Sequence, residues 1–315
     1  WGGLWVRPTI IWITMGFVLM FMRTLLWLRY RPFAAVTDEE APTLTVIIPA
    51  YNEGAMVESS IASVAKARYP RERLQIIAVD DGSRDDTWNY ILHAALRYPG
   101  LVTPVRLPEN QGKRGALAEG FRRATGDIIV TVDSDSVISP DTLLAIAGPF
   151  RDPRVGAVAG KVAVRNRREN IIPRMLHVRF ILSFDFLRSA QSFFRTVYCC
   201  PGALAAYRMA VVRKVQPEWE QQSFLGARCT YGEDRALTNL ILGAGYDSRA
   251  YRIPGIERAR VFEVDHPDTQ ARKRALLDRL VAPIPDHACF VSPVINREGL
   301  DGRLTGAGFR HGAHR

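Results

Sequence analysis

Four acidic clusters follow one another along the chain: Tyr51-Asn52-Glu53, Asp80-Asp81-Gly82-Ser83, Asp133-Ser134-Asp135 and Gly232-Glu233-Asp234. Any one alone reads as a solvated turn, since a D-x-D triplet arises by chance in many chains. The ordered set points to a chemistry. Carboxylates repel a diphosphate unless a divalent cation stands between them. Mg²⁺ and Mn²⁺ take oxygen ligands and are commonly held by one or two carboxylates plus substrate phosphates. Asp133 and Asp135, two apart at a predicted strand end, project from the same side and are the expected metal ligands. Such a metal stabilises charge on a departing diphosphate. Lys113 and Arg114 follow the turn Asn110-Gln111-Gly112 and are expected to bring positive charge to the phosphates. Asp234 opens a helix-compatible run over 234–242. A carboxylate there, its pKa raised by partial burial, can take the proton of an acceptor hydroxyl. Asp80 and Asp85 read as turn caps.

The elements that must position these groups alternate. Residues 43–49, 74–80, 102–107, 127–132 and 155–164 read as strands. Residues 54–67, 85–96, 115–125 and 140–150 read as helices, the last with Pro140 near its first turn. This order predicts an α/β fold, a mostly parallel sheet with helices on both faces. Ligands of such sheets bind beyond the carboxyl ends of the strands, where three of the four acidic clusters stand. Residues 170–195 are apolar, basic and helix-compatible. A core helix and a helix lying along a membrane surface both stay open for them. Cys199 and Cys200 fall in an expected strand, with side chains on opposite faces.

The chain has 315 residues and a net charge of +10. A basic balance suits nucleic acid, an anionic membrane surface or a phosphate-bearing substrate. The Lys and Arg residues are scattered and no recognition motif accompanies them, so nucleic acid is not an expected partner. The four cysteines show no C-x-x-C spacing, which argues against zinc. They read as reduced packing residues of a cytosolic compartment. Residues 8–28 form an apolar run with one charge, Arg23. That length spans a bilayer and exceeds the apolar part of a signal peptide; a buried core helix is the alternative. Arg29 and Arg31 follow it, which places the catalytic part on the cytoplasmic side of the cell membrane. The chain begins at Trp1, and an upstream piece is expected. The organisation read here is an anchor over 1–30, a linker over 31–42, an α/β domain over 43–242 and a tail over 243–315.

Residues 43–242 resemble the family-2 inverting glycosyltransferases with the GT-A fold, nearest to the hyaluronan, chitin-oligosaccharide and cellulose synthase group. The strings that carry this are TVIIPAYNEG (45–54), VDDGSRDDT (79–87), GKRGALAEGF (112–121), VDSDS (132–136), CCPGALAAYR (199–208) and FLGARCTYGEDRALTN (224–239). The resemblance implies a membrane-bound enzyme that moves GlcNAc, GlcA or Glc from a UDP-sugar to a glycan acceptor, with Mg²⁺ or Mn²⁺. It implies that Tyr51, Glu53 and Asp81 hold the uridine and that Lys113 approaches the diphosphate. Asp133 and Asp135 would hold donor and metal, with Asp135 the more direct ligand. Gly202 and Glu233 would border the acceptor, and Asp234 would be the general base of a single displacement with inversion. The chain carries neither the Q-x-x-R-W motif nor the later membrane helices of that group. Processive polymer synthesis is therefore not expected from the residues given, and an inactive donor-binding remnant is an alternative.

Residues 241–267 resemble another family, the S-adenosylmethionine-dependent methyltransferases related to leucine carboxyl methyltransferases. LGAGYDSRAYR (242–252) and FEVDHP (262–267) carry this likeness. Gly243 and Gly245 would form the glycine turn beside the nucleoside, and Asp265, 20 residues after Gly245, would meet its ribose hydroxyls. Only 73 residues remain from Gly243 onward, which is short for such a domain. A methyltransferase is thus the second alternative.

Overall fold

All seven residues of Leu44–Ala50 (β1) are buried. A strand without a wet face must be central and covered on both sides. The computed structural model shows this, and it describes residues 8–224, 227–228, 232–242, 261–264, 274 and 288–291. Two compact units divide the chain, Trp1–Arg235 and Ala236–Arg315.

In the first unit a 22-residue helix, Pro8–Arg29 (α1), precedes β1. Then follow Met56–Ala65 (α2), Leu74–Asp80 (β2), Thr87–Arg97 (α3), Val102–Arg106 (β3), Gly112–Arg123 (α4), Ile128–Val132 (β4), Thr142–Ala147 (α5) and Ala157–Ala159 (β5). Ile171–Phe180 (α6) continues through a π-helical stretch, Ile181–Leu187, into Arg188–Phe193 (α7). Leu204–Arg208 (β6), Met209–Glu220 (α8) and two short strands, Ser223–Phe224 (β7) and Ala227–Arg228 (β8), complete the run to Glu233–Ile241 (α9), of which the first three residues belong to this unit. The main sheet has the order β3-β2-β1-β4-β6-β5. Its first four strands are parallel, whereas β6 runs antiparallel to both β4 and β5. The sheet is therefore mostly parallel, as expected, and mixed only through β6, the one strand of the six that is reversed. In register, Ala50 of β1 stands beside Asp80 of β2, and Asp80 beside Arg106 of β3.

Alternation along the strands sorts the core into two layers. Leu44, Val46 and Ile48 pack with Ile61 and Val64 of α2 and Ile91 of α3. Ile47 faces the other way, onto α4, where a side chain at Gly120 would meet Ile47 Cγ2 at 2.5 Å. That absence of a side chain lets α4 lie close to the sheet.

Four expectations change. The helix read over 140–150 is α5 alone, preceded by Asp141 and followed by a 3₁₀ turn, Gly148–Arg151. The strand read over 155–164 shrinks to three residues. Cys199 and Cys200 lie in irregular chain before β6 rather than in a strand. Finally, none of the apolar window of α1 is buried among the described residues, so the core-helix alternative finds no support there. In the second unit, Val261–Val264 (β9) pairs in parallel with Ala288–Val291 (β10).

Candidate active site

The chain leaves the carboxyl end of β1 through Asn52, whose φ of +54° lies in the left-handed region. Asparagine tolerates this better than most residues because its short amide bonds locally. Here the Asn52 amide oxygen accepts from the Arg84 N–H at 2.9 Å, and the Asn52 N–H donates to Ser83 Oγ at 3.0 Å. The N–H groups of Glu53 and Gly54 both donate to Thr87 Oγ1, at 2.8 and 2.9 Å. The loops after β1 and β2 are thereby laced together. Gly82 turns the second loop at φ +70°, and a Cβ there would strike the Glu109 backbone at 2.7 Å. Asp80 and Asp85 are turn-forming as expected. Asp80 is fully buried, accepts from the Ser83 N–H at 3.1 Å and pairs with Arg106 at 3.1 Å. Asp85 accepts from Thr87 N–H and Oγ1.

These loops enclose a pocket of about 250 Å³ beyond the strand ends, lined by Tyr51, Glu53, Asp81, Lys113, Asp133 and Asp135 among others. All six residues expected to hold a donor are thus brought together. Tyr51 is exposed rather than a core aromatic. Asp81 is buried, and its Oδ1 accepts from the Gln111 N–H at 2.8 Å at the start of α4. Burial pushes its carboxyl up, against the pull of the Gln111 and Gly112 N–H groups. Burial also raises Glu53, and the charges of Asp135 and Asp133 add to it, while a hydrogen bond with Ser134 opposes the rise. Several carboxylates therefore repel one another across one small space.

Lys113 answers part of that repulsion. Its ammonium lies 2.5 Å from Asp133 Oδ1 and 3.5 Å from Glu233 Oε1. Burial alone would depress it, but attraction to Asp133 and then Glu233 wins and holds it above the usual lysine range. Arg114 does not join it. Consecutive helical residues diverge by about 100° around the axis, and Arg114 points inward. It is buried, donates to Trp219 O at 2.7 Å and lies 5.3 Å over the Trp219 ring. The expectation that it faces phosphates is corrected.

Trp219 is a site-building residue that the sequence pattern did not single out. It is fully buried, and its Nε1–H donates to Glu233 O at 2.9 Å, fixing the start of α9. Its only sequence signal is the helical spacing Val211, Val212, Val215, Trp219, which reads as core. Asp234 follows Glu233, with Oδ2 3.4 Å from the Gly202 N–H and 3.5 Å from Cys199 Sγ. Burial and then the Asp234 charge push the Cys199 thiol up, so it stays protonated and able to donate. Gly202 sits against the pocket cation: a Cβ there would lie 2.7 Å from Lys113 Nζ. Gly202, Glu233 and Asp234 thus adjoin the donor pocket through Lys113. Gly243, Gly245 and Asp265 lie outside the described residues.

Among the described residues no three His, Cys, Asp or Glu side chains converge as a metal cage. Two carboxylates bordering a pocket of mutually repelling acids are nonetheless the donor set of a cation completed by phosphate oxygens, and Asp133 and Asp135 fit it. A larger cavity of about 430 Å³ opens at the opposite edge of the sheet, by Asp127 and Ile128. Its Arg208 and Arg151 are committed to main-chain carbonyls of Phe150, Val155 and Ala34, which makes it a structural feature.

A family model described as Glycosyl transferase family 2 matches residues 45–216, and one described as Leucine carboxyl methyltransferase matches residues 227–314. Glu233 and Asp234 fall in the second span, so their link to the pocket rests on geometry. An N-acetylglucosaminyltransferase of Azorhizobium caulinodans is 37% identical over 215 residues, 68% of this chain and 53% of that relative. One of Rhizobium meliloti (strain 1021) is 36% identical over 212 residues, 67% of this chain and 50% of that relative. The chain spans about half the length of the curated relatives it matches. Among solved structures, the mannosyltransferase PcManGT from Pyrobaculum calidifontis, in complex with GDP-Man and Mn²⁺, aligns with a TM-score of 0.54 at 28% identity. That alignment covers 76% of this chain and 62% of that one. A model that covers more than half of the chain, and a GT-A-like mixed sheet bearing its acids at the strand ends, lead to one conclusion: the chain belongs to glycosyl transferase family 2.

Proposed function

We propose that the chain carries the donor-binding and catalytic domain of a membrane-anchored inverting glycosyltransferase that uses a UDP-sugar. The observation that carries this reading is the pocket lined by Glu53, Asp81, Lys113, Asp133 and Asp135, joined by the Lys113–Glu233 ion pair to Asp234. UDP-N-acetylglucosamine is the first donor to try, because the relatives are named N-acetylglucosaminyltransferases; UDP-glucuronate and UDP-glucose follow. The acceptor is a glycan hydroxyl.

In this reading Tyr51, Glu53 and Asp81 seat the uridine, and Lys113 turns from Asp133 toward the diphosphate. Asp133 and Asp135 hold the divalent cation, which supplies charge stabilisation for the departing diphosphate. Asp234, oriented through Oδ2 by the Gly202 N–H and the Cys199 thiol, takes the proton of the acceptor hydroxyl. The acceptor oxygen bonds to the anomeric carbon as the bond from that carbon to the diphosphate oxygen breaks, giving an inverted glycoside and UDP. Gly202 and Glu233 border the acceptor. The apolar helix α1 anchors the domain, with Arg29 and Arg31 on the cytoplasmic side.

Calorimetric titration of the full chain with UDP and Mn²⁺ tests the donor site. Chelation of the metal, or Asp135→Asn, is expected to weaken UDP binding by roughly 10- to 100-fold, the worth of one or two charge-assisted contacts. Unchanged affinity in both cases sinks the assignment. The Leucine carboxyl methyltransferase match over 227–314 favours a second reading, methyl transfer. Titration with S-adenosylmethionine separates the two, since the glycosyltransferase reading expects no heat.

A further inference from the structure

Arg114 is only 4% exposed, and its hydrogen bonds among the described residues go to neutral groups. Its Nη1 donates to Trp219 O at 2.7 Å and to Gln222 Oε1 at 3.3 Å, while Nε and Nη2 have no acceptor among the described residues. A buried charge without a carboxylate beside it is costly, and an apolar side chain of similar volume often serves stability as well or better. Core packing alone is therefore a poor reason for an arginine at this place. What the guanidinium reaches supplies a better one. Trp219 is the penultimate residue of α8, and the last four carbonyls of a helix have no partner inside it. A cation there also meets the negative end of the helix dipole. Arg114 thus caps α8 from another helix, α4, and lies 5.3 Å over the Trp219 ring as it does so.

The same indole reaches onward. Its Nε1–H donates to Glu233 O at 2.9 Å, and the next residue is Asp234. Phe121, two helical turns after Arg114 on the same face of α4, packs on this ring as well, with centroids 5.5 Å apart. Lys113, one residue before Arg114, binds the Glu233 carboxylate at 3.5 Å. Neighbouring residues of α4 therefore grip Glu233 by two routes. Lys113 takes its side chain at the pocket, and Arg114 holds its carbonyl through Trp219.

We propose that Arg114 is a positioning residue for sugar transfer: by holding the Trp219 indole against the Glu233 carbonyl, it sets where Asp234 stands relative to the donor pocket. The inference rests on the reading of Asp234 as the general base. Arg114 is not among the residues that line the pocket, so it acts on the chemical step and not on nucleotide affinity. A small misplacement of a reacting group from a distant change is enough to slow that step.

The test compares Arg114→Met, Arg114→Lys, Trp219→Phe and the double variant Arg114→Met with Trp219→Phe, each in the full chain in detergent, beside the unaltered chain. UDP release gives kcat, calorimetry gives the Kd for UDP, and thermal melts give stability. Arg114→Met is expected to lower kcat by about 10- to 100-fold, with the Kd for UDP unchanged and the melting temperature equal or higher. Arg114→Lys keeps the charge and a donor for the Trp219 carbonyl but not the flat group over the ring, so its loss should be about 3- to 10-fold. If Arg114→Met does not fold, Arg114→Lys carries the test by the same split between kcat and Kd. The double variant should be no slower than the slower of its two single variants, because both act through one indole. An unchanged kcat in Arg114→Met, whatever its melting temperature, overturns the proposal and leaves the transferase reading standing. Losses that multiply in the double variant also overturn it, since Arg114 then acts by a route other than Trp219. So does a UDP affinity that falls along with kcat. An unaltered chain that releases no UDP from any donor overturns the transferase reading and the proposal together.

Discussion

Lys113 stands where the proposed donor, metal and acceptor groups meet. Its bonds to Asp133 and Glu233 make it the electrostatic hinge of the site. Removing it leaves two carboxylates facing each other without a counter-charge. Lys113→Met is expected to raise the Kd for UDP by roughly 10- to 100-fold, as for one lost charge-assisted bond, measured by calorimetry. Glu53 shows the opposite balance. Its carboxyl is raised, chiefly by burial, so its stabilising contribution exists while it is protonated and is lost as the pH rises through its folded pKa. At neutral pH the ionised side chain therefore costs stability. Glu53→Gln is expected to raise the melting temperature at neutral pH, with the gain shrinking as the pH falls through the carboxylate range. A variant that melts lower at neutral pH contradicts the repulsion inferred here. Arg114 marks the limit of reading chemistry from neighbours. It adjoins Lys113 in sequence, yet one helical step turns it from the pocket onto Trp219.

At the scale of elements, the start of α9 depends on α8. The Trp219 N–H to Glu233 carbonyl bond fixes the backbone that carries Asp234. Trp219→Phe keeps an aromatic ring and removes that donor. The expected outcome is a fall in kcat for sugar transfer with UDP affinity unchanged, and a stability loss of about 0.5–1.5 kcal/mol, read from steady-state kinetics and denaturant melts. Equal kcat contradicts the positioning role. The strand-end acids were legible beforehand, because β-branched runs ending in carboxylates locate the ligand edge of an α/β sheet; β2 matches its expected bounds of 74–80. The reversal of β6 was not legible, since a short apolar strand carries no mark of its direction. Trp219 was hidden for a similar reason: core spacing looks alike whether or not the indole reaches a catalytic loop.

For the whole molecule, an exposed apolar α1 precedes a mixed sheet whose acids gather at one edge. The family-2 match ends at 216 and the methyltransferase match begins at 227. Asp234, the proposed base, falls within the second matched span yet belongs to the first compact unit, where it accepts from the Gly202 N–H. Catalysis by this chain therefore hinges on whether that bond places a working base. The direct measurement is UDP release from the purified full chain in detergent with Mn²⁺ and UDP-N-acetylglucosamine, UDP-glucuronate or UDP-glucose, beside Asp234→Asn. The account predicts release with one donor, lowered by about 10²–10⁴-fold in the variant while UDP binding persists. No release with any of these donors from folded chain that binds UDP, or equal release from the variant, contradicts it.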